Sequence, residues 1–192
     1  MMILNRLIFL KIVLFMMSYT GTAQQINTKM KDAQGRTKLL GKINKKGLQQ
    51  DPFAPWFAAN YTGYTVDSAA IMPLKTKLKK MEILAFMGTW CGDSKREVPR
   101  FYKILEVLNF PQNKLNMVAV DYMKPNYKKS PGGEEKGWQI IKVPTFIFLK
   151  NGKEVNRIVE SPIESLEKDM AAIINGARYT PKYASLLKLP QD

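Results

Sequence analysis

The amino-acid sequence predicts an α/β fold, a three-layer α/β/α sandwich around a mixed central sheet. Three observations lead there. Two apolar runs of strand length, at 81–87 and 115–120, flank a long amphipathic helical pattern. An Asn-Gly pair joins two further strand-like runs at 145–149 and 154–159, and a capped helical pattern follows them. Strands linked through a helix run parallel, while a tight hairpin adds antiparallel strands, so the sheet is expected to be mixed.

The order of elements is as follows. MMILNRLIFLKIVLFMMSYTGTAQQ has Arg6 near its start, an apolar run from Leu7 to Met17 and small residues before Gln24, which reads as a secretory signal cut after Ala23 (residues 1–23). A retained membrane anchor is the other reading, but Lys11 interrupts the run and it is shorter than the roughly 20 residues a spanning helix needs. Residues 24–50 are polar and basic, with only Leu39, Leu40 and Ile43 to bury, and predict a flexible extension with room for one short strand. A domain is expected over 51–180. Asp51 reads as a helix cap with Pro52 at the first helical position and Phe53, Trp56 and Phe57 on the inner face. Asp67 or Ser68 starts a short helix that Pro73 interrupts, and Lys75 to Lys80 form a basic connector.

Met81 to Met87 is a strand buried on both faces. In the helix that follows, Val98, Phe101, Tyr102, Leu105 and Leu108 share one face, and Pro99 kinks it. Leu115 to Val120 is a second buried strand ending at Asp121. Tyr122 to Lys136, with Pro125, Pro131, Gly132 and Gly133, predicts an exposed loop, and Trp138 to Ile141 a short helix. After the Asn-Gly hairpin, Ser161, Pro162 and Glu164 open a helix with Ile163, Leu166, Met170 and Ile173 inward, stopping near Gly176. Residues 181–192 are expected to be a loosely held tail.

Composition narrows the chemistry. Thirty Lys and Arg against 16 Asp and Glu give a formal net charge of +14, but the cations are scattered and no nucleic-acid module accompanies them. With no histidine, a Cys-His dyad, a Ser-His triad, a histidine zinc site and a histidine-ligated haem are all excluded. A single cysteine excludes an internal disulfide and a thiolate cluster. No metal and no cofactor are expected. In an oxidising compartment that cysteine is a reactive thiol, an intermolecular partner or an inert buried residue.

Three local patterns carry a resemblance. Trp90, Cys91, Gly92, Asp93 and Ser94 lie where the 81–87 strand gives way to the helix; Pro99 follows eight residues after Cys91; Val143, Pro144 and Thr145 precede the hairpin. In this order they resemble the thioredoxin family over roughly Met81 to Gly176. The resemblance implies a thioredoxin-like sandwich in which Pro144 is cis and faces Cys91. It implies Cys91 and Ser94 as the catalytic pair of positions, and Trp90, Gly92, Asp93, Val143, Pro144 and Thr145 as the substrate-binding groove. The departures are chemical. Ser94 replaces the resolving cysteine, Asp93 replaces a proline, Ala85 stands where the family has a buried acid, and Met117 stands near that acid's lysine partner. Gly88, three residues before Cys91, does not match the threonine of peroxiredoxins.

A cysteine at a helix start faces unpaired N–H groups and the positive end of the helix dipole, which favour thiolate. Lys95 and Arg96 add positive charge, Asp93 opposes it if its carboxylate turns inward, and Ser94 is placed to donate to the sulfur. Two function classes follow. One is thiol–disulfide exchange on exported proteins by a single-cysteine oxidoreductase or isomerase, with a small thiol or a redox protein resolving the mixed disulfide. The other is a non-catalytic thioredoxin-fold module that holds extended peptides between Trp90 and Val143. The expected location is exported, periplasmic or extracellular, with no membrane span after cleavage.

Overall fold

In the computed structural model, which describes residues 25–187, six strands form one mixed sheet. They are β1 (Thr28–Lys31), β2 (Thr37–Ile43), β3 (Glu82–Met87), β4 (Leu115–Ala119), β5 (Thr145–Lys150) and β6 (Lys153–Val159), in the order β1-β2-β4-β3-β5-β6. Only β3 and β4 pair in parallel; the other neighbours are antiparallel. The helices are α1 (Lys45–Leu48), α2 (Ala54–Thr62), α3 (Ser68–Ile71), α4 (Lys75–Leu78), α5 (Gly92–Val107) and α6 (Leu166–Asn175).

Alternation along the strands divides the core in two. Ile83, Ala85 and Met87 of β3, Met117 and Ala119 of β4, and Phe146 and Phe148 of β5 face one side. Leu48, Phe57, Ile71, Leu78, Phe101 and Met170 pack there, so each of the six helices contributes to that face. The α5 stripe Val98, Phe101, Tyr102 and Leu105 is fully buried around Pro99, each side chain worth about 2 kcal/mol of apolar burial. Phe101 stacks on Phe146 with ring centroids 4.1 Å apart, locking α5 to the centre of the sheet.

The opposite face carries Phe86, Val118, Val120, Ile147 and Leu149. The α/β class and the mixed sheet are as expected, but the layer over this second face is chain without a helix. Residues 122–142 cover it, and no helix forms at 138–141. Positive φ at Lys128, Gly133, Gly137 and Gln139, with Pro125 and Pro131, breaks every helical run there. Buried cations bind this layer down instead. Arg157, 2% exposed, is held by Glu154 through Nε and Nη2 (2.6 and 2.5 Å) and donates from Nη1 to the Trp138 carbonyl at 2.7 Å.

The larger correction concerns residues 25–50. The expected loose extension is an ordered hairpin, β1 with β2, and β2 extends the sheet by pairing antiparallel to β4. Leu39 and Ile43 enter the main core, and Lys38 is buried on the second face, donating to Asp121 Oδ1 at 2.6 Å. Smaller differences have local causes. Asp51 does not cap α2, whose first turn begins after Phe53, while Asp67 does cap α3, accepting from the Ala70 N–H at 3.0 Å. Part of the basic connector coils into α4. Ser165, four residues beyond the expected Ser161, caps α6 and accepts from the Lys168 N–H at 3.2 Å, which leaves Ile163 exposed. Gly176 ends α6 in the left-handed conformation (φ 70°) as expected. Residues 181–187 are not loose, since Lys182 and Tyr183 bond Ser161 and Glu160 and Leu187 is buried. The expected leader, 1–23, and residues 188–192 lie outside the described residues.

The Lys38–Asp121 pair gives a test. Burial raises the Asp121 carboxyl, but the bonds from Lys38 and from the Met123 and Tyr122 N–H groups outweigh it and hold the group below the usual carboxylate range. A depressed folded value contributes stability that is fully present above the unfolded carboxyl's value, about pH 4, and is lost as pH falls through the lower folded value. Asp121→Asn leaves Lys38 buried without a counter-charge. It should lower the unfolding free energy by about 3 kcal/mol in urea titrations at pH 7, with a shallower acid limb than the parent. An unchanged urea midpoint would count against the pair as the anchor of the hairpin.

Candidate active site around Cys91

The site forms at the carboxyl ends of the two parallel strands, where Val120 N–H donates to the Met87 carbonyl at 2.8 Å and holds the two exits side by side. From Met87 the chain turns through Gly88, Thr89 and Trp90 into α5. Two bonds shape that turn: Cys91 N–H donates to the Gly88 carbonyl at 2.9 Å, and Gly88 N–H donates to Ser94 Oγ at 3.2 Å. Ser94 is fully buried, so its hydroxyl accepts from the turn below, where a bond to the sulfur had been expected.

Cys91 is the N-cap residue of α5, in extended backbone conformation (φ −86°, ψ 129°), and its side chain caps nothing. The thiol is therefore available at a helix start, half-buried. It donates from Sγ to the Val143 carbonyl at 3.2 Å. The Val143–Pro144 peptide is cis, which agrees with the expectation for Pro144. Val143, Pro144 and Thr145 are buried, and Thr145 Oγ1 donates to the Lys142 carbonyl at 2.8 Å. What this loop presents to Cys91 is thus backbone, with the side chains packed behind it.

The remaining expected residues sit around the sulfur. Trp90 donates from Nε1 to the Val120 carbonyl at 2.9 Å and packs against Tyr122 and Tyr127, ring centroids 5.6 and 6.4 Å away. Gly92 is exposed, and beyond its chain neighbours and its own helix backbone no heavy atom lies within 4 Å of where a Cβ would be, so the surface is open at the residue after Cys91. Asp93 is turned to Arg96, 2.7 Å from Nη2, and Arg96 Nε donates to the buried Glu97 at 2.6 Å. The Asp93 charge is spent on that cation within the first turns of α5. Below the site Ala85 and Met117 are direct partners across β3 and β4, both buried and both apolar.

Several contributors were not singled out from the sequence. Thr89 Oγ1 accepts the Leu39 N–H at 3.3 Å, tying β2 to the site turn. Tyr122, directly after Asp121, packs on Trp90 and bonds through its hydroxyl to Asp32 and Arg36 of the hairpin. The Asp32–Arg36 spacing was a readable signal for a tight turn closed by a salt bridge; its meeting with Tyr122, 86 residues on from Arg36, was not.

Comparisons with known proteins place these features. The family model described as Thioredoxin matches residues 73–172, just over half of the chain. The chain is similar to a thioredoxin H-type of Picea mariana, 29% identical over 102 residues, which are 53% of this chain and 74% of that protein. It is also similar to thioredoxin H4-1 of Oryza sativa subsp. japonica, 31% identical over 98 residues, 51% of this chain and 67% of the relative. Among solved structures it matches Fasciola hepatica thioredoxin at 18% identity with a TM-score of 0.35, over 55% of this chain and 88% of that one.

Gly88 tests the geometry of the turn. A Cβ there would lie 2.5 Å from Trp90 Cε2, inside van der Waals contact, so Gly88→Ala should displace the indole and break its bond to Val120. The expected outcome is a loss of about 1–3 kcal/mol in stability and an upfield shift of the Trp90 indole N–H resonance in a nitrogen–proton spectrum. A parent-like resonance and urea midpoint would show that the ring is not fixed by this contact.

Proposed function

Because the chain belongs to the thioredoxin family, with thiol–disulfide oxidoreductase-like function, we propose that it exchanges disulfides on exported proteins through Cys91 alone, an external thiol completing each cycle. One observation carries the reading: the chain's single cysteine stands at a helix start with open space at Gly92 and its sulfur 3.2 Å from the Val143 carbonyl.

The Cys91 thiolate attacks one sulfur of a substrate disulfide R–S–S–R′. A bond forms between Cys91 Sγ and the R sulfur, the S–S bond breaks, and R′ leaves as thiolate, which takes up a proton. The attacking sulfur stands at the N-cap position of α5, beside the unpaired N–H groups of its first turn. Ser94 has no second thiol to attack the mixed disulfide. A thiol R″–SH, of a small molecule or a redox protein, attacks the R sulfur, and Cys91 leaves as thiolate. The products are R–S–S–R″ and the starting protein, with no net change in oxidation state. A second equivalent of R″–SH is required before R is released as a free thiol, so the direction of turnover is set by the surrounding thiol pool. With Ala85 and Met117 beneath the site, no buried acid on β3 is present to relay a proton, and solvent must supply it.

Mass spectrometry of the mature protein incubated with oxidised glutathione or a disulfide-containing protein should show one adduct on Cys91, absent in Cys91→Ser. Ser94→Cys, with a thiol one turn along α5, should convert that adduct to an internal disulfide and shorten its lifetime at least tenfold. Failure of any adduct to form, together with peptide binding that Cys91→Ser leaves intact, would instead establish the non-catalytic binding module.

Export rests on the leader pattern of residues 1–23; among the described residues no helix is long and apolar enough to cross a membrane. Expressed with its leader in a secreting bacterial host, the protein should be recovered outside the cytoplasm with Gln24 as its first residue. Recovery from the cytoplasm with Met1 retained would end the export reading and leave the thiol chemistry untouched.

A further inference from the structure

Beside Trp90, the residue before Cys91, the hairpin closes a recess of about 300 Å³. Trp90 and Tyr122 form its aromatic part, and Arg36, Lys38 and Lys95 its cations, with Asp32 the single carboxylate of the lining. The charges are not equivalent. Asp32 is saturated, since it accepts from the Tyr122 hydroxyl, from Arg36 Nε at 2.7 Å and from the N–H groups of Gln34 and Arg36, and its side chain is 2% exposed. Lys38 is spent on the buried Asp121. Arg36 is 67% exposed at its side chain, and Lys95, the fourth residue after Cys91, has no ion pair among the described residues. The recess therefore presents the unpaired Lys95 ammonium beside an indole, together with an exposed guanidinium whose Nε and Nη2 are held by Asp32 and the Tyr122 hydroxyl and whose Nη1 faces the remaining space.

One wall of this recess, Arg36 and Lys38, comes from β1–β2, outside the segment 73–172 that the family model covers, while Trp90, Lys95 and Tyr122 come from within it. The Thr89–Leu39 bond and the Tyr122 contacts fix the two parts against each other. We propose that this recess is an anion subsite that selects disulfides bearing a carboxylate next to the reactive sulfur, held by Arg36 and Lys95. This rests on the disulfide-exchange reading above and names its preferred substrate chemistry. Trp90 lines the recess and directly precedes Cys91, and Lys95 lies one helical turn beyond it, so the subsite flanks the reactive residue along the chain. Such carboxylates come from a small acidic thiol compound or from an acidic segment flanking a protein disulfide.

The test compares rates of adduct formation at Cys91 with three small disulfides: oxidised glutathione, which carries carboxylates, neutral bis(2-hydroxyethyl) disulfide, and cationic cystamine. The ratio of the first to the second cancels any general change in thiol reactivity. It should fall roughly fivefold in Arg36→Gln/Lys95→Gln, as two solvent-accessible ion pairs are lost, and should stay at the parent value in Lys153→Gln, which removes a cation from the β5–β6 turn. A ratio that is unchanged in the double variant, or that falls equally in Lys153→Gln, overturns the subsite while the exchange reading stands; no reaction with any of the three overturns both. Repeating the series with a glutamate-flanked peptide disulfide separates the sources. A matching fall assigns the subsite to acidic protein segments, and a fall confined to oxidised glutathione assigns it to a small acidic thiol.

Discussion

The parallel pairing of β3 with β4 is the constraint from which the site follows. Parallel neighbours cannot be joined by a tight turn, so the chain must cross over one face of the sheet, and α5 is that crossover. The same pairing sets both carboxyl ends side by side, and everything chemical in the molecule is strung from those two ends. Cys91 begins the crossover helix after β3, and Asp121 and Tyr122 leave β4. Ligand sites at the carboxyl ends of parallel strands arise from the same geometry, because helix starts and their free N–H groups gather there. Apolar burial of α5 against Phe146 and its neighbours is what holds the thiol in place.

The second determinant is the hairpin, which acts through two points. Lys38 neutralises Asp121 at the exit of β4, and Asp32 with Arg36 grips the Tyr122 hydroxyl. Both contacts are polar, both bridge more than 80 residues of chain, and both end on the segment that carries the aromatic packing of Trp90. A hairpin is marginal alone and needs a wider sheet or a packed face to persist. Here β4 supplies the sheet and Leu39 and Ile43 the packed face, so the hairpin and the site wall are stable for the same reason.

Much of this was legible in the sequence, and the boundary has a physical logic. Strands β3 to β6, the kinked α5 and the Asn-Gly turn were readable because each announces itself locally, through period, proline or turn chemistry; Asn151 and Gly152 indeed take φ of 53° and 74°. Cys91, Trp90 and Pro144 were readable because their spacing is contiguous with those elements. Residues 25–50 were not, because Lys38 looks like a surface residue until Asp121, 83 positions away, accounts for its burial. The same applies to Arg157, whose burial depends on Glu154 and the Trp138 carbonyl. At 122–136 the composition predicted a loop correctly, but the short helix expected at 138–141 does not form, and nothing local showed that this stretch would itself serve as the second layer of the fold. Buried charge is specified by tertiary partners, and single-sequence patterns carry no partner information.

The site also shows where the chain's chemistry has been relocated. A dithiol with a buried acid holds both the resolving thiol and a proton relay within one domain. Ser94, by contrast, is committed to the Gly88 N–H, and Ala85 and Met117 leave the interior beneath the sulfur apolar. On the exchange reading proposed above, the proton and the resolving sulfur come from outside the chain, from a molecule that meets this rim. Asp93 adds nothing to that rim electrostatically, because Arg96 already balances it. The unpaired cation near Cys91 is Lys95, while the exposed Arg36, across Trp90, is already shared with Asp32 and the Tyr122 hydroxyl. On that reading the rim is where such molecules are told apart, and the hairpin, which lies outside the segment 73–172 that the family model covers, contributes Arg36 to it.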